Sequence, residues 1–238
     1  MSKKNRNDRS SKRDNGIDPR AAHTRVTFKP RTEKQAKAIE TIRQNHLNFV
    51  VSPAGTGKTL LLCAAAMELF QKGRVGKIVL IRPAVEAGKS LGYLPGTQEE
   101  KMYPYLLPIY DNLQKITDHY VLESMIEQEQ IEVLSPTLAR GRTLDGAFVI
   151  VDEAQNLTKE QLRMVLTRAG EGTYYGVTMD GAQIDIKPEN SCFNDLDIFR
   201  DVDGIGFVEF TNEDIVRSPL AKLVMDVYDN ARKNGGAE

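Results

Sequence analysis

The chain has 238 residues, 40% of them hydrophobic and 27% charged, with a formal net charge of −1. These values suit one full-sized globular domain or two small ones and exclude a collagen-like or wholly disordered chain. The longest uninterrupted apolar run, 60–67, is too short to cross a bilayer, and Cys63 and Cys192 have neither disulfide-framework nor zinc-site spacing.

The near-neutral total hides a division of charge. Residues 1–37 hold 12 Lys or Arg against 4 Asp or Glu, a balance of +8, and the remainder carries −9. Residues 1–29 read as a basic disordered tail, with the folded domain over 30–238. Such a tail is either an arm that neutralises nucleic-acid phosphates or a solubilising extension. It lacks the apolar stretch of a secretory signal, so a cytoplasmic location without a membrane partner is expected.

In chain order, Thr32-Glu-Lys-Gln35 opens a helix whose Ala36, Ile39 and Ile42 follow helical spacing. Gln35 there either completes a capping box with Thr32 or offers its amide to an adenine edge. Short β-rich runs predict buried strands over 47–51, 77–81, 131–134, 147–151, 175–179 and 206–210. Between them, helices are predicted over 59–71, 113–129, 159–168 and 218–232. Apolar strands alternating with helices imply an α/β fold with a mostly parallel sheet flanked by helices. Two stretches break the rhythm. Residues 82–111 carry four prolines with Tyr93, Tyr103, Tyr105 and Tyr110, whose rings either pack a core or interface or stack on bases. Residues 181–195 are polar and irregular.

After the first predicted strand comes Ser52-Pro-Ala-Gly55-Thr56-Gly57-Lys58-Thr59, then a helix. Strand, glycine-containing loop, helix is the context a phosphate-binding loop requires: backbone N–H groups close around phosphate oxygens at the positive end of the helix. ATP is the expected cofactor, contacted by Pro53, Ala54, Gly55, Thr56, Gly57, Lys58, Thr59 and Leu60. Lys58 would reach the β- and γ-phosphates and the Thr59 hydroxyl would hold Mg²⁺. Ser52 stands where a first glycine is usual, and serine adopts positive φ less freely.

The run 147–151 ends in Asp152-Glu153-Ala154-Gln155, carboxylates at the sheet edge where open α/β sheets place ligands. Asp152 would hold Mg²⁺ and Glu153 would polarise the attacking water, which favours hydrolysis over transfer to a small acceptor. The run 175–179 ends in Asp180-Gly-Ala-Gln183, where Gln183 either closes an Asp-Gly turn or senses the γ-phosphate. The candidates for a cation on the transferring phosphoryl group are Arg82, Arg140, Arg142, Arg168 and Arg217, each of which either makes a surface ion pair or points at the nucleotide.

Further runs carry a resemblance: Ile81-Arg-Pro-Ala-Val-Glu-Ala-Gly88, Leu91-Gly-Tyr-Leu-Pro-Gly96, Glu100-Lys-Met-Tyr-Pro-Tyr105, Pro108-Ile-Tyr-Asp111, Arg140-Gly-Arg-Thr143, Asp152-Glu-Ala-Gln-Asn156 and Leu166-Thr-Arg168. Over about residues 30 to 232 the chain resembles the PhoH family of ATPases, in the compact form that bacteria and many bacteriophages encode, without an appended nuclease or RNA-binding domain. The resemblance implies a RecA-like P-loop NTPase core related to superfamily-1 helicases, ATP with Mg²⁺, ring-shaped oligomers and RNA as substrate. In a phage-encoded protein the compartment would be the host cytoplasm. It also implies Lys58, Glu153, Gln183 and Arg217 in catalysis and Thr59 and Asp152 on the metal. Met179 and Ser218 depart from the family's glycine and histidine.

One RecA-like core leaves a nucleotide with one wall, so a homo-oligomer, a hexamer, with an arginine supplied in trans is expected. The expected activity is ATP hydrolysis coupled to movement on, or remodelling of, single-stranded RNA or DNA. The alternatives are an ATP-dependent switch acting on a protein partner without translocation and, last, a small-molecule kinase.

Overall fold

The computed structural model describes residues 27–83 and 107–216, together with Leu220, Leu223, Val224 and Val227. The basic segment 1–26, most of the tyrosine-rich stretch, Arg217, Ser218 and most of the predicted helix 218–232 lie outside the described residues.

Among the described residues six strands form one parallel sheet: β1 (Leu47–Val51), β2 (Lys77–Ile81), β3 (Ile131–Leu134), β4 (Ala147–Val151), β5 (Tyr174–Met179) and β6 (Ile205–Glu209), in spatial order β3-β2-β4-β5-β1-β6. Every residue of β4 and β5 is buried, as expected of central strands covered on both faces. Helices α1 (Glu33–Gln44) and α2 (Lys58–Gln71) share one face of the sheet with α3 (His119–Glu127), and α4 (Lys159–Leu166) covers the other.

Local chemistry sets these elements. Thr32 caps α1 by accepting from the Gln35 N–H at 3.1 Å, and Ala38, Ile39 and Ile42 turn inward. α2 is apolar almost all round, with Leu61 to Met67 buried, as a helix in the middle of a layer must be. Gly176 lets it lie close: a Cβ there would stand 2.5 Å from Leu62 Cδ2.

The expected helix 113–129 is divided. Residues 107–114 are helical, the Ile116 and Thr117 N–H groups both close on Leu113 O at 3.0 Å, and Asp118 then caps a new helix by accepting from Tyr120 N at 2.9 Å. The fourth expected helix stops at Leu166, with Thr167 as its C-cap. The irregular stretch 181–195 contains the 3₁₀ turn Pro188–Asn190 and opens another, Cys192–Phe199, anchored by buried Ser191 and Cys192.

Register then fixes what meets at the carboxyl edge. Val51 pairs with Met179, Ile81 with Val151, and Val151 with Val177. One residue further along, Ser52 falls beside Asp180, and Asp152 lies between Arg82 and Thr178.

Candidate functional site

The loop between β1 and α2 is built by two left-handed glycines, Gly55 (φ 87°) and Gly57 (φ 86°), a region side-chain-bearing residues seldom enter. Gly57 is the N-cap of α2 and provides no side-chain cap, which leaves the first-turn N–H groups of that helix to an anion. Ser52 is not among the described residues with positive φ, so serine carries no backbone penalty in place of glycine. It is built into the loop instead: its N–H donates to Met179 O at 2.9 Å, and its Oγ accepts from the Thr56 hydroxyl at 2.7 Å. Met179 is fully buried in the core layer below the edge.

Gln35 is buried against this loop. Its Nε2 donates to Thr56 O at 3.0 Å and its Oε1 accepts from Arg31 N at 2.8 Å. The amide therefore braces the loop, and the return contact of the expected capping box is made to Arg31 rather than to Thr32.

Lys58 and Thr59 begin α2 and face the strand ends. Lys58 is buried, with Nζ 3.8 Å from Asp180 Oδ2. The Thr59 hydroxyl donates to Asp152 Oδ1 at 2.9 Å, and the Thr178 hydroxyl donates to the same oxygen at 2.8 Å. Asp152 Oδ2 meets Arg82 Nη1 at 3.3 Å. Of the described candidate arginines, Arg82 is the one paired with the site: Arg142 pairs with Glu132, Arg168 Nε donates to Met164 O at 3.2 Å, and Arg140 is exposed. Arg217 is outside the described residues, but the preceding Val216 N–H donates to Gly55 O at 3.1 Å, which ties that end of the chain to the loop.

Glu153 is left-handed, with φ 54°, and its N–H donates to Thr178 Oγ1 at 3.0 Å. Its carboxylate accepts from Gln155 Nε2 at 2.6 Å. Fully buried Gln155 joins three segments, because Nε2 also donates to Gln183 O at 3.1 Å while Oε1 accepts from Asp180 N at 3.1 Å. Asn156 adds a further link, accepting from Asp185 N at 2.7 Å. The side chain of Gln183 is exposed beside this network. The sequence alone assigns no site role to Gln155, Thr178 or Asp180, the last of which reads only as part of an Asp-Gly turn. Their signal is position alone, in the polar runs that close β4 and at the end of β5.

The residues fit a nucleotide with a divalent metal. The loop offers free N–H groups and a buried ammonium, while Thr59 and Asp152 bring a hydroxyl and a carboxylate together. Among the described residues no three His, Cys, Asp or Glu side chains gather as a metal cage. A metal here would take one or two protein ligands and the rest from phosphate and water, the usual habit of Mg²⁺.

The family model described as PhoH-like protein matches residues 27–229. The chain belongs to the PhoH family. A PhoH-like protein of Mycobacterium tuberculosis is 42% identical over 211 residues, 88% of this chain and 60% of that protein. One from Bacillus subtilis is 40% identical over 205 residues, 85% of this chain and 64% of that protein. The chain thus spans less than two thirds of these PhoH-like relatives. Among solved structures, the large terminase of a thermophilic bacteriophage superposes with a TM-score of 0.50 at 13% identity, covering 83% of this chain and 50% of that one. The PhoH-like core has the fold of a P-loop NTPase domain. Among its described residues no helix is long and apolar enough to cross a membrane.

Proposed function

We propose that the protein binds ATP with Mg²⁺ and hydrolyses it, using the energy to remodel or move along single-stranded RNA or DNA. The observation that supports this most directly is the contact of Thr59 Oγ1 with Asp152 Oδ1 at 2.9 Å, which joins the phosphate loop to the carboxylate two strands away.

In this reading the loop from Pro53 to Gly57 wraps the phosphates with backbone N–H groups, and Lys58 draws the β- and γ-phosphates to the start of α2. Thr59 and Asp152 hold the metal, which when bound neutralises charge on the phosphate oxygens. Glu153, fixed by Gln155, takes a proton from the attacking water. Gln183 reports the γ-phosphate to the turn that Gln155 ties together, and Gln35 positions the loop beside the base. Arg82, on releasing Asp152, and Arg217 are cations for the transferring charge, joined by an arginine from a neighbouring copy in a hexamer. Residues 1–29 and the tyrosine-rich stretch would hold nucleic acid through phosphate contacts and stacking.

The test is ATP turnover by the wild type and Lys58→Ala, each with and without RNA and single-stranded DNA. Turnover stimulated by oligonucleotide and reduced by orders of magnitude in the variant supports the reading. Nucleotide-dependent binding of a protein partner without turnover would favour the switch.

A further inference from the structure

Asp180 stands at the carboxyl end of β5, between the strand that leads into the phosphate loop and the strand that ends at Asp152. Its side chain is 4% exposed. Oδ1 accepts from Ala182 N at 3.0 Å, while Oδ2 is buried without a hydrogen-bond partner. Opposite Oδ2 is Lys58 Nζ, at 3.8 Å and with a side chain 8% exposed, so the two face each other as charges without a hydrogen bond between them.

Either group alone would be costly here. A buried charge is tolerated when an opposite charge accompanies it, and removing one partner strands the other. We propose that Asp180 is a positioning residue for Lys58: it is the counter-ion that holds the ammonium at the loop when no nucleotide is present, and it yields the lysine to the phosphates when one enters. The inference rests on the reading of this loop as a nucleotide site.

Two consequences separate this role from simple packing. Binding becomes an exchange, since phosphate must take Lys58 from Asp180. After the exchange, Asp180 remains as an unbalanced negative charge beside the phosphates. It therefore opposes nucleotide binding most when no divalent cation offsets the charge.

Asp180→Asn keeps the shape and removes the charge. Titration of a non-hydrolysable ATP analogue into both proteins, in EDTA and in Mg²⁺, reads the effect. The variant is expected to bind about tenfold more tightly than wild type in EDTA, the size of effect one nearby like charge supplies, with the gain falling below about threefold in Mg²⁺. Equal or weaker binding in EDTA, or the same gain in both buffers, overturns the proposal. Wild type that binds in neither buffer overturns the nucleotide-site reading and this inference with it; wild type that binds while the variant gains nothing in EDTA, or gains equally in both buffers, overturns the inference alone.

Melting of the nucleotide-free protein gives a second test that does not need the single variant to fold. Lys58→Met leaves Asp180 stranded, so adding Asp180→Asn to it should raise the melting temperature. A double variant melting at or below Lys58→Met contradicts the pairing.

Discussion

Glu153 and Gln155 show how single side chains aim this site. A non-glycine residue at φ 54° costs about 1–3 kcal/mol, and the cost is met by the Thr178 contact to its N–H and the Gln155 amide on its carboxylate. Glu153→Gln keeps the shape and loses the base, so turnover should fall about 100-fold or more while nucleotide binding persists; unchanged turnover in a steady-state assay would remove Glu153 from the chemistry. Gln155→Leu leaves the Asp180 N–H and the Gln183 carbonyl without their partner. It should lower stability by about 2–4 kcal/mol, read from the urea midpoint at constant slope. Lys58, Thr59 and Asp152 were legible in the sequence because each belongs to a spaced motif with a stated chemistry. Gln155, Thr178 and Asp180 were not, because what they touch depends on which strand lies next to which, and local spacing carries no record of neighbours.

At the level of elements, the site is a product of register. Because β5 lies between β1 and β4, the ends of three strands converge and Thr59 can meet Asp152 across it. That arrangement also requires α2 to lie close on β5 over Gly176. Gly176→Ala would press a methyl group into Leu62, which is fully buried, so that side chain or α2 must shift to admit it. A loss of about 1–3 kcal/mol is expected in chemical denaturation, with nucleotide affinity falling as α2 shifts; an unchanged midpoint would show that the helix has slack. The strands were readable from short β-branched runs, four of them to the residue and two within one residue at either end. The helix expected over 113–129 is divided because its apolar residues recur on both sides of Thr117 and Asp118, whereas the backbone stops on Leu113 O and restarts from the Asp118 cap. Capping chemistry outweighs periodicity there.

For the whole molecule, charge and burial bound the pH range of stability. Hydrogen bonding to Lys34 and to the Thr211 N–H holds Asp214 below the ordinary carboxylate range. For Glu132, burial acts upward but the contacts with Arg142 and Lys77 outweigh it, and the net direction is down. Carboxyls depressed by folding stabilise above their unfolded pKa, and that contribution is lost as pH falls through the folded one. Stability should therefore decline as pH falls below about 4. At the other end burial pushes the Tyr175 phenol and the Cys192 thiol each up to about 12, and the Cys63 thiol up as well. The unfolded chain then ionises first, so stability should also fall as pH rises above about 9. Urea midpoints across pH check both limbs, and a flat profile at either end contradicts the assignment of those groups.

The proposed nucleic-acid role is tested at the same scale. Deleting residues 1–26, which spares Phe28 on the core and the Thr27 N–H bond to Ile116 O, should abolish stimulation of turnover by oligonucleotide and leave basal turnover in place. Sedimentation should show an assembly, whereas a stable monomer at micromolar concentration with full activity would contradict the trans arginine. The proposed activity turns on whether a triphosphate enters the loop between Gly55 and Thr59. Calorimetric titration of a non-hydrolysable ATP analogue with Mg²⁺ should give saturable heat in the wild type and none in Lys58→Ala; a wild-type titration without heat, with the loop empty in crystals soaked in the analogue, would contradict it.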